Sequence, residues 1–282
     1  MNTQSFEKPI LVLGATGKTG SRVAERLTAR GLPVKLGSRN ASPAFDWNDR
    51  ATWADALNGV RAVYISYYPD LAVPGAKDAV EALAKLAVAM GVKRLVLLSG
   101  RGEEEAQATE EALKAIGAEL TIVRASWFNQ NFSEGAFLDY ILAGEVALPV
   151  GDVREPFVDA DDIADIVVSA LTSDWHVGQL YEVTGPRLLT FAEAVAEIAA
   201  AAGRDIRYVR ITPEEFRAGI GAAGLPEDMV WLLDELFTRV LDGRNEYLTD
   251  GVERALGRPP RSFTDYVWQT AARGAWNTAQ AA

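Results

Sequence analysis

Three glycines near the start of the chain, Gly14, Gly17 and Gly20, are spaced G-x-x-G-x-x-G within P-I-L-V-L-G-A-T-G-K-T-G. An apolar run, Ile10 to Leu13, leads into them. A helical pattern follows at once, with apolar Val23, Ala24 and Leu27 interleaved with Arg22, Glu25 and Arg26. A buried parallel strand that turns through glycines into a helix start is built to hold a pyrophosphate. The glycines allow the tight turn and close backbone approach, and the free N–H groups of the first helical turn face the anion. A glycine triplet alone also serves ordinary turns. With strand and helix on either side it predicts a dinucleotide site carried by Gly14, Thr16, Gly17, Lys18, Thr19 and Gly20.

The next strand-like run, Val34–Gly37, ends in Ser38 and Arg39. An acidic residue there commonly holds the two ribose hydroxyls of NAD. Serine and arginine instead suit the extra 2′-phosphate of NADP, so NADPH is expected ahead of NADH. The alternative is a surface arginine at a strand end. After a short third segment come Phe45, Asp46 and Trp47. Asp46 could accept from an adenine amino group while the Trp47 backbone meets the ring edge, or it could cap a helix over Asp49–Leu57. Ser66 ends the run Ala62–Ser66 and Tyr67 follows it, on the same cofactor side. Ser99 ends Arg94–Ser99 and could bond a substrate heteroatom or the nicotinamide amide, or serve a strand-end turn.

Aromatic side chains gather where a pocket is expected: Tyr67, Tyr68, Trp127, Phe128, Phe132 and Trp231, with Asn129 and Asn131 as polar handles. Such a stripe is otherwise a core. Two of its groups directly follow strands, the side on which ligands bind, which implies a flat, hydrophobic, aromatic or polycyclic small-molecule substrate.

These residues need a scaffold, and the chain supplies one. Strand candidates Ile10–Leu13, Val34–Gly37, Ala62–Ser66, Arg94–Ser99 and Leu120–Val123 alternate with amphipathic helices near Ser21–Arg30, Arg50–Asn58, Pro74–Met90 and Glu104–Ile116. Continuously apolar strands in β-α alternation predict an α/β fold, a Rossmann-type doubly wound parallel sheet with ligands at the strands' carboxyl ends. Further helices are expected at Ser133–Ala143, from Asp161 to Leu171, and at Phe191–Ala202, Pro213–Gly219, Asp228–Leu241 and Asp250–Leu256. Strands are expected at Gln179–Val183 and Arg207–Arg210. The division expected is a nucleotide-binding domain over 1–185, with part of a lid inserted near 130–155, and a smaller, mostly helical substrate region over 186–282. A pocket between the two is the default substrate site.

Composition narrows the partners. The 282 residues carry a net charge of −11, which argues against a nucleic-acid backbone as partner. The clusters Glu103 to Glu105 and Asp159, Asp161, Asp162 read as solvated faces and helix starts rather than metal sites. No uncharged apolar run approaches the roughly 18 residues of a membrane span, and Met1–Lys8 is polar, without the order of a secretory leader. There is no cysteine, and cytoplasm is the default compartment. The one histidine, His176, lies in S-D-W-H-V-G and reads as a solvated loop residue.

The chain resembles the atypical short-chain dehydrogenase/reductases of the NmrA-like type. The likeness is carried by L-G-A-T-G-K-T-G at 13–20, S-R at 38–39, G-V-K-R-L-V-L-L-S at 91–99 and T-I-V-R-A-S-W-F-N-Q-N-F at 121–132. Within that type it is most similar to the ergot-alkaloid group, the festuclavine and agroclavine dehydrogenases. That likeness rests on F-D-W-N-D-R-A-T-W at 45–53, P-F-V-D-A-D-D-I-A at 156–164, G-P-R-L-L-T-F at 185–191, G-L-P-E-D-M at 224–229 and G-R-P-P-R-S-F-T-D-Y-V at 257–267. The resemblance implies an NAD(P)H-dependent oxidoreductase with a related substrate lid, of the kind found in secondary metabolism.

One departure from the wider superfamily matters more. Ordinary members carry Tyr-x-x-x-Lys on the helix after the strand that ends in Ser99, and the tyrosine protonates a carbonyl oxygen. Here that helix reads E-E-E-A-Q-A-T-E-E-A-L-K-A, with Lys114 but no tyrosine. Lys114 reads as a solvated helix lysine. Reducing a ketone needs a proton at the developing alkoxide, and general acid help is worth roughly 10²–10⁴-fold. An iminium needs none, and a quinone or similar conjugated acceptor depends on it less. The expected function is therefore hydride transfer from NADPH to such an acceptor. Two alternatives remain: an NADP-binding redox sensor without turnover, and a ketoreductase with Tyr67 or Tyr68 as acid, although both tyrosines also read as pocket walls.

Overall fold

The computed structural model describes residues 8–135 and 137–277. The polar stretch ahead of Lys8 lies outside the described residues. In chain order the first elements are β1 (Ile10–Leu13), α1 (Lys18–Ala29), β2 (Val34–Gly37), α2 (Trp53–Leu57), β3 (Ala62–Ile65), α3 (Ala76–Ala89) and β4 (Arg94–Gly100). Then come α4 (Glu104–Lys114), β5 (Glu119–Ala125), α5 (Leu138–Ala143), β6 (Glu145–Leu148), β7 (Arg154–Glu155), α6 (Ala160–Thr172) and β8 (Leu180–Val183). The chain continues through β9 (Leu189–Thr190), α7 (Phe191–Ala202), β10 (Arg207–Arg210), α8 (Pro213–Ala222), α9 (Glu227–Glu235), α10 (Gly251–Leu256) and α11 (Phe263–Ala272).

Two compact units share these elements. The first takes the chain up to Ala125, then Ala160–Val183 and Asp250–Arg258. The second takes Ser126–Asp159, Thr184–Thr249 and the chain from Pro259.

The first unit is built on a six-stranded parallel sheet in the order β2-β1-β3-β4-β5-β8. β1 and β3 are apolar at every position and wholly buried, as a sheet covered on both faces requires. Each of their buried Ile, Leu and Val side chains contributes about 1.5–3 kcal/mol. Strand order reverses beside β1, with β2 on one flank and β3 on the other, which puts a ligand crevice at their carboxyl ends. The short third segment expected before Phe45 is not a sheet strand. Asp46 and Asp49 form only an isolated bridge there, in a stretch of Ser, Pro, Asn and Asp that favours turns. Ser99 therefore lies in the fourth strand of the chain, and Tyr67 follows the third.

α1 and α6 pack together under an ion network. Arg26 reaches Asp161 at 2.6 Å and Asp165 at 2.8 Å, and Arg258 reaches Asp162 at 2.8 Å and Asp165 at 2.7 Å. His176 is not a solvated loop residue. It ends a short 3₁₀ turn, Asp174–His176, and is 3% exposed. Its Nδ1 lies 2.8 Å from the Tyr181 hydroxyl and its Nε2 2.8 Å from Ser169 Oγ. The polar flanks of the histidine hid the buried partners that α6 and β8 bring to it.

The second unit holds two short sheets, β7–β9 antiparallel and β6–β10 parallel. The helix expected over Ser133–Ala143 is reduced to α5, with a 3₁₀ turn at Asn129–Phe132 before it; Ser133 and Gly135 interrupt, and position 136 is not described. The helix expected over Asp228–Leu241 is α9 running into a π turn, Leu236–Val240. Capping boxes start α7 (Thr190 with Glu193) and α8 (Thr212 with Glu215). The core is aromatic: Phe132, Phe137, Phe157, Phe191, Phe237 and Phe263 meet as edge-to-face and tilted rings.

Candidate cofactor site and active site

The glycine loop has three glycines with three different reasons. Gly14 takes φ +63°, the left-handed region, and a Cβ there would stand 3.4 Å from Ser66 Oγ. At Gly20 a Cβ would lie 2.1 Å from the Gly14 carbonyl oxygen, so α1 can approach the loop only without a side chain. Gly17 has an ordinary φ of −86°, and its Cβ would meet nothing but the Gly14 oxygen at 3.3 Å. That one oxygen is the sole close neighbour of the position among the described residues. α1 starts at Lys18 with no side-chain cap and no acid in its first turn, which leaves its N-terminal N–H groups for an anion. This cradle, which a side chain at Gly17 would fill, fits a pyrophosphate.

Below the loop, the Tyr64 hydroxyl donates to Thr19 Oγ1 at 2.9 Å, and Ser66 hydrogen-bonds the same phenol. Burial pushes the Tyr64 phenol above its ordinary range. Thr19 thus braces α1 from within, while Thr16 and Gly17 are exposed and Lys18 is half-buried.

At the end of β2 the Ser38 carbonyl accepts from Ala41 N–H at 3.1 Å and Phe45 N–H at 2.9 Å, closing a tight loop. Arg39 stands on that loop, exposed, with no hydrogen bond or ion pair among the described residues. The Asp46 carboxylate accepts from Asn48 N–H at 2.9 Å, and its carbonyl from Trp53 Nε1 at 2.8 Å. The cap of the following helical turn is Asp49, which accepts from Ala51 N–H at 3.0 Å. Trp47 packs against Tyr67 with ring centroids 4.8 Å apart, which joins the loop after β2 to the end of β3. Tyr67 is half-buried there, whereas Tyr68 is 71% exposed. Parallel register thus gathers the residues after β1, β2 and β3 at one edge of the sheet.

Ser99 is buried and its hydroxyl is engaged. It donates to Glu110 Oε1 at 2.6 Å, and Glu110 also accepts from Arg124 Nε at 2.9 Å and Nη2 at 2.5 Å. Arg124 pairs in register with Ser99 on one side and Glu182 on the other, and Glu182 takes Arg101 Nε at 2.6 Å. The row Ser99, Arg124, Glu182 crosses three strands. Glu110 lies four residues before Lys114, the spacing of Tyr-x-x-x-Lys, so a fully buried carboxylate acceptor stands where that motif has its phenol. Lys114 points to solvent and pairs with Glu111 at 2.6 Å. Sequence reasoning singled out Ser99 but missed Glu110 and Arg124. The available signal was phase: Glu110 falls on the same buried stripe of α4 as Ala106 and Leu113.

In the second unit Trp127 is half-buried against Phe237 (centroids 5.0 Å), Phe191 (5.6 Å) and Phe137 (6.2 Å). Phe128 is half-buried and bridges to Val158. Asn129 is fully buried with its amide 3.5 Å from Asp159, Asn131 is half-buried, and Trp231 is 39% exposed on α9.

The sheet order and glycine cradle define a dinucleotide-binding α/β protein. The NmrA-like family matches residues 7–265, and the chain belongs to that family. Its relatives include the NAD(P)H azoreductase of Xenophilus azovorans, 33% identical over 92% of this chain and 96% of that protein. The agroclavine dehydrogenase of Claviceps fusiformis is 31% identical over 92% of this chain and 96% of its own length. Among solved structures, the NADPH complex of the Escherichia coli quinone oxidoreductase QOR2 shares the fold, with a TM-score of 0.77 at 21% identity over 92% of this chain and 99% of that one. Among the described residues no helix is long and apolar enough to cross a membrane, and no cluster suits a metal ion.

Proposed function

We propose that this protein is an NADPH-dependent reductase that delivers hydride to a flat, apolar, conjugated acceptor, an iminium, a quinone or a related group, without a tyrosine acid. The observation that carries the reading is the cradle between Gly14 and the uncapped start of α1. Kinship with an NAD(P)H azoreductase and a clavine dehydrogenase supports the reductase class. NADPH, when bound, supplies the hydride. We assign the 2′-phosphate to Arg39, exposed after β2, and the base to the paired rings of Trp47 and Tyr67.

Glu110 accepts three hydrogen bonds from Ser99 and Arg124, and so acts as an acceptor at the position of the missing phenol. An iminium balances without a donor: hydride adds to carbon, the C=N π pair returns to nitrogen, and the positive charge is lost. A quinone takes hydride and then a proton from water, since its oxyanion is delocalised. The aromatic residues Tyr67, Tyr68, Trp127 and Phe128 favour a flat substrate.

Single-turnover oxidation of NADPH against iminium, quinone and azo panels tests this. Tyr67→Phe and Tyr68→Phe should each slow transfer by about tenfold or less, the scale of one hydrogen bond. A loss near 10³-fold in either variant would promote the ketoreductase reading. Tight NADPH binding with no oxidation by any acceptor would favour a sensor.

A further inference from the structure

The loops after β3 and β4 each carry a carboxyl group that hydride transfer does not use. Asp70 follows Tyr67, Tyr68 and Pro69, and it accepts from Ala72 N–H at 2.9 Å and from Leu71 N–H. Glu103 immediately precedes α4, and its carboxyl group folds back over the end of β4. A Cβ built on Gly100 would lie 2.0–2.2 Å from Glu103 Oε1, Cδ and Oε2, so a side chain there would push the carboxyl group out of this position. The two carboxyl groups hydrogen-bond one another. Two carboxylates cannot do so; one must carry a proton. Glu103 Oε2 is shut off from solvent and meets no N–H or hydroxyl donor among the described residues.

We propose that Asp70 and Glu103 share one proton at neutral pH, and that this proton pins the Tyr67–Asp70 loop to the start of α4, fixing Tyr67 against Trp47 and so tuning NADPH affinity. The cofactor half rests on the function proposed above. Both residues are positioning residues, one step removed from the cofactor. The proton belongs to Glu103: burial, then the Asp70 charge, then the Glu110 charge across α4 push its carboxyl well above the ordinary range. Asp70 is raised by burial but drawn back by the N–H groups of Ala72 and Leu71 and by Glu103 itself. Among the described residues, the charged groups that shift the pair are Asp70 in the loop after β3 and Glu103 and Glu110 around α4, and all are acidic.

The sign follows. A carboxyl whose folded pKa is raised contributes stability that is fully present below its unfolded value of 4.5 and is lost as pH rises through the folded value. Glu103→Gln keeps a donor toward Asp70 at every pH and removes the titration. Asp70→Asn removes the charge that holds the proton, and it serves as a second variant should the first fold poorly.

Infrared spectra of the wild type at pH 7 should show a protonated-carboxyl C=O band that is lost in both variants. Melting temperature should fall from pH 5 to pH 9 more steeply in the wild type than in Glu103→Gln. NADPH affinity should weaken by about tenfold over one to two pH units on the alkaline side in the wild type and stay within about twofold in Glu103→Gln, as loss of one linked proton requires. A band that survives both substitutions, or equal pH slopes in wild type and variants, overturns the shared proton. Band and stability that respond while NADPH affinity does not overturn the positioning role. Because infrared and unfolding need no cofactor, failure of NADPH to bind any form would count against the proposed function and leave the pair intact.

Discussion

Ser99 and Glu110 are joined by a 2.6 Å hydrogen bond that ties the end of β4 to the buried face of α4. The serine hydroxyl has one proton, and this bond uses it. Ser99→Ala should therefore cost about 1.5–3 kcal/mol of stability, the value of a bond to a charged acceptor, with less than a tenfold change in turnover. Glu110→Ala should cost more, about 3–5 kcal/mol, because it strips Arg124 of its close partner. Urea unfolding of the two variants checks the order.

The glycines separate binding from folding. Gly17→Val should leave the fold in place and abolish NADPH binding, since its Cβ would meet only the Gly14 carbonyl oxygen, at 3.3 Å, while its methyl groups would take the space where the pyrophosphate is expected. Gly20→Ala should fail as a fold, because its methyl carbon would stand 2.1 Å from a backbone oxygen. Circular dichroism and NADPH titration on both proteins distinguish the two failures. Retained NADPH affinity in a folded Gly17→Val protein would reduce the loop to a turn.

Arg39 is exposed and makes no ion pair among the described residues, so its removal leaves no buried charge behind. Arg39→Ala should weaken NADPH roughly 10–100-fold, the worth of one charge-assisted contact, and leave NADH affinity unchanged. Equal loss for both cofactors would take Arg39 away from the 2′-phosphate.

His176 is buried, and burial first, then the charge of Arg94, hold its imidazole below the ordinary 6.5. A depressed folded pKa contributes stability that is present above the unfolded value and lost as pH falls through the folded one. Stability should thus decline as pH falls below 6.5, and His176→Gln should flatten that decline. The chain has a single histidine, so one imidazole resonance in an NMR titration reads the pKa directly.

The sheet was legible because its strands are short, mostly apolar and alternate with helical patterns. β1, β2 and β10 begin and end where alternation and turn residues placed them, and α7 does so because its capping box is written in Thr190 and Glu193. What was not legible depends on which side chains the fold brings face to face. Apart from its helical phase, nothing local distinguishes Glu110 from the acids around it, and nothing says that His176 meets Ser169 and Tyr181 from different elements. Trp127 shows the limit from the other side. Its position just past β5 suggested a ligand wall, and its ring also belongs to the Phe137, Phe191 and Phe237 cluster. A half-buried aromatic can serve as both, and periodicity cannot apportion the two.

The pairing of Arg258 with Asp162 and Asp165 has a consequence for how the protein is made. The unit that begins with the glycine loop is completed only when residues near the far end of the chain return to it. A nascent chain on the ribosome can form β1 and α1 early, yet β8 and α10 must wait until most of the polypeptide has been synthesised. Long sequence separation of this kind slows folding and prolongs exposure of unfinished sheet edges. The two units are therefore not exchangeable cassettes: no single cut along the chain separates them, and both would have to be inherited, duplicated or recombined together.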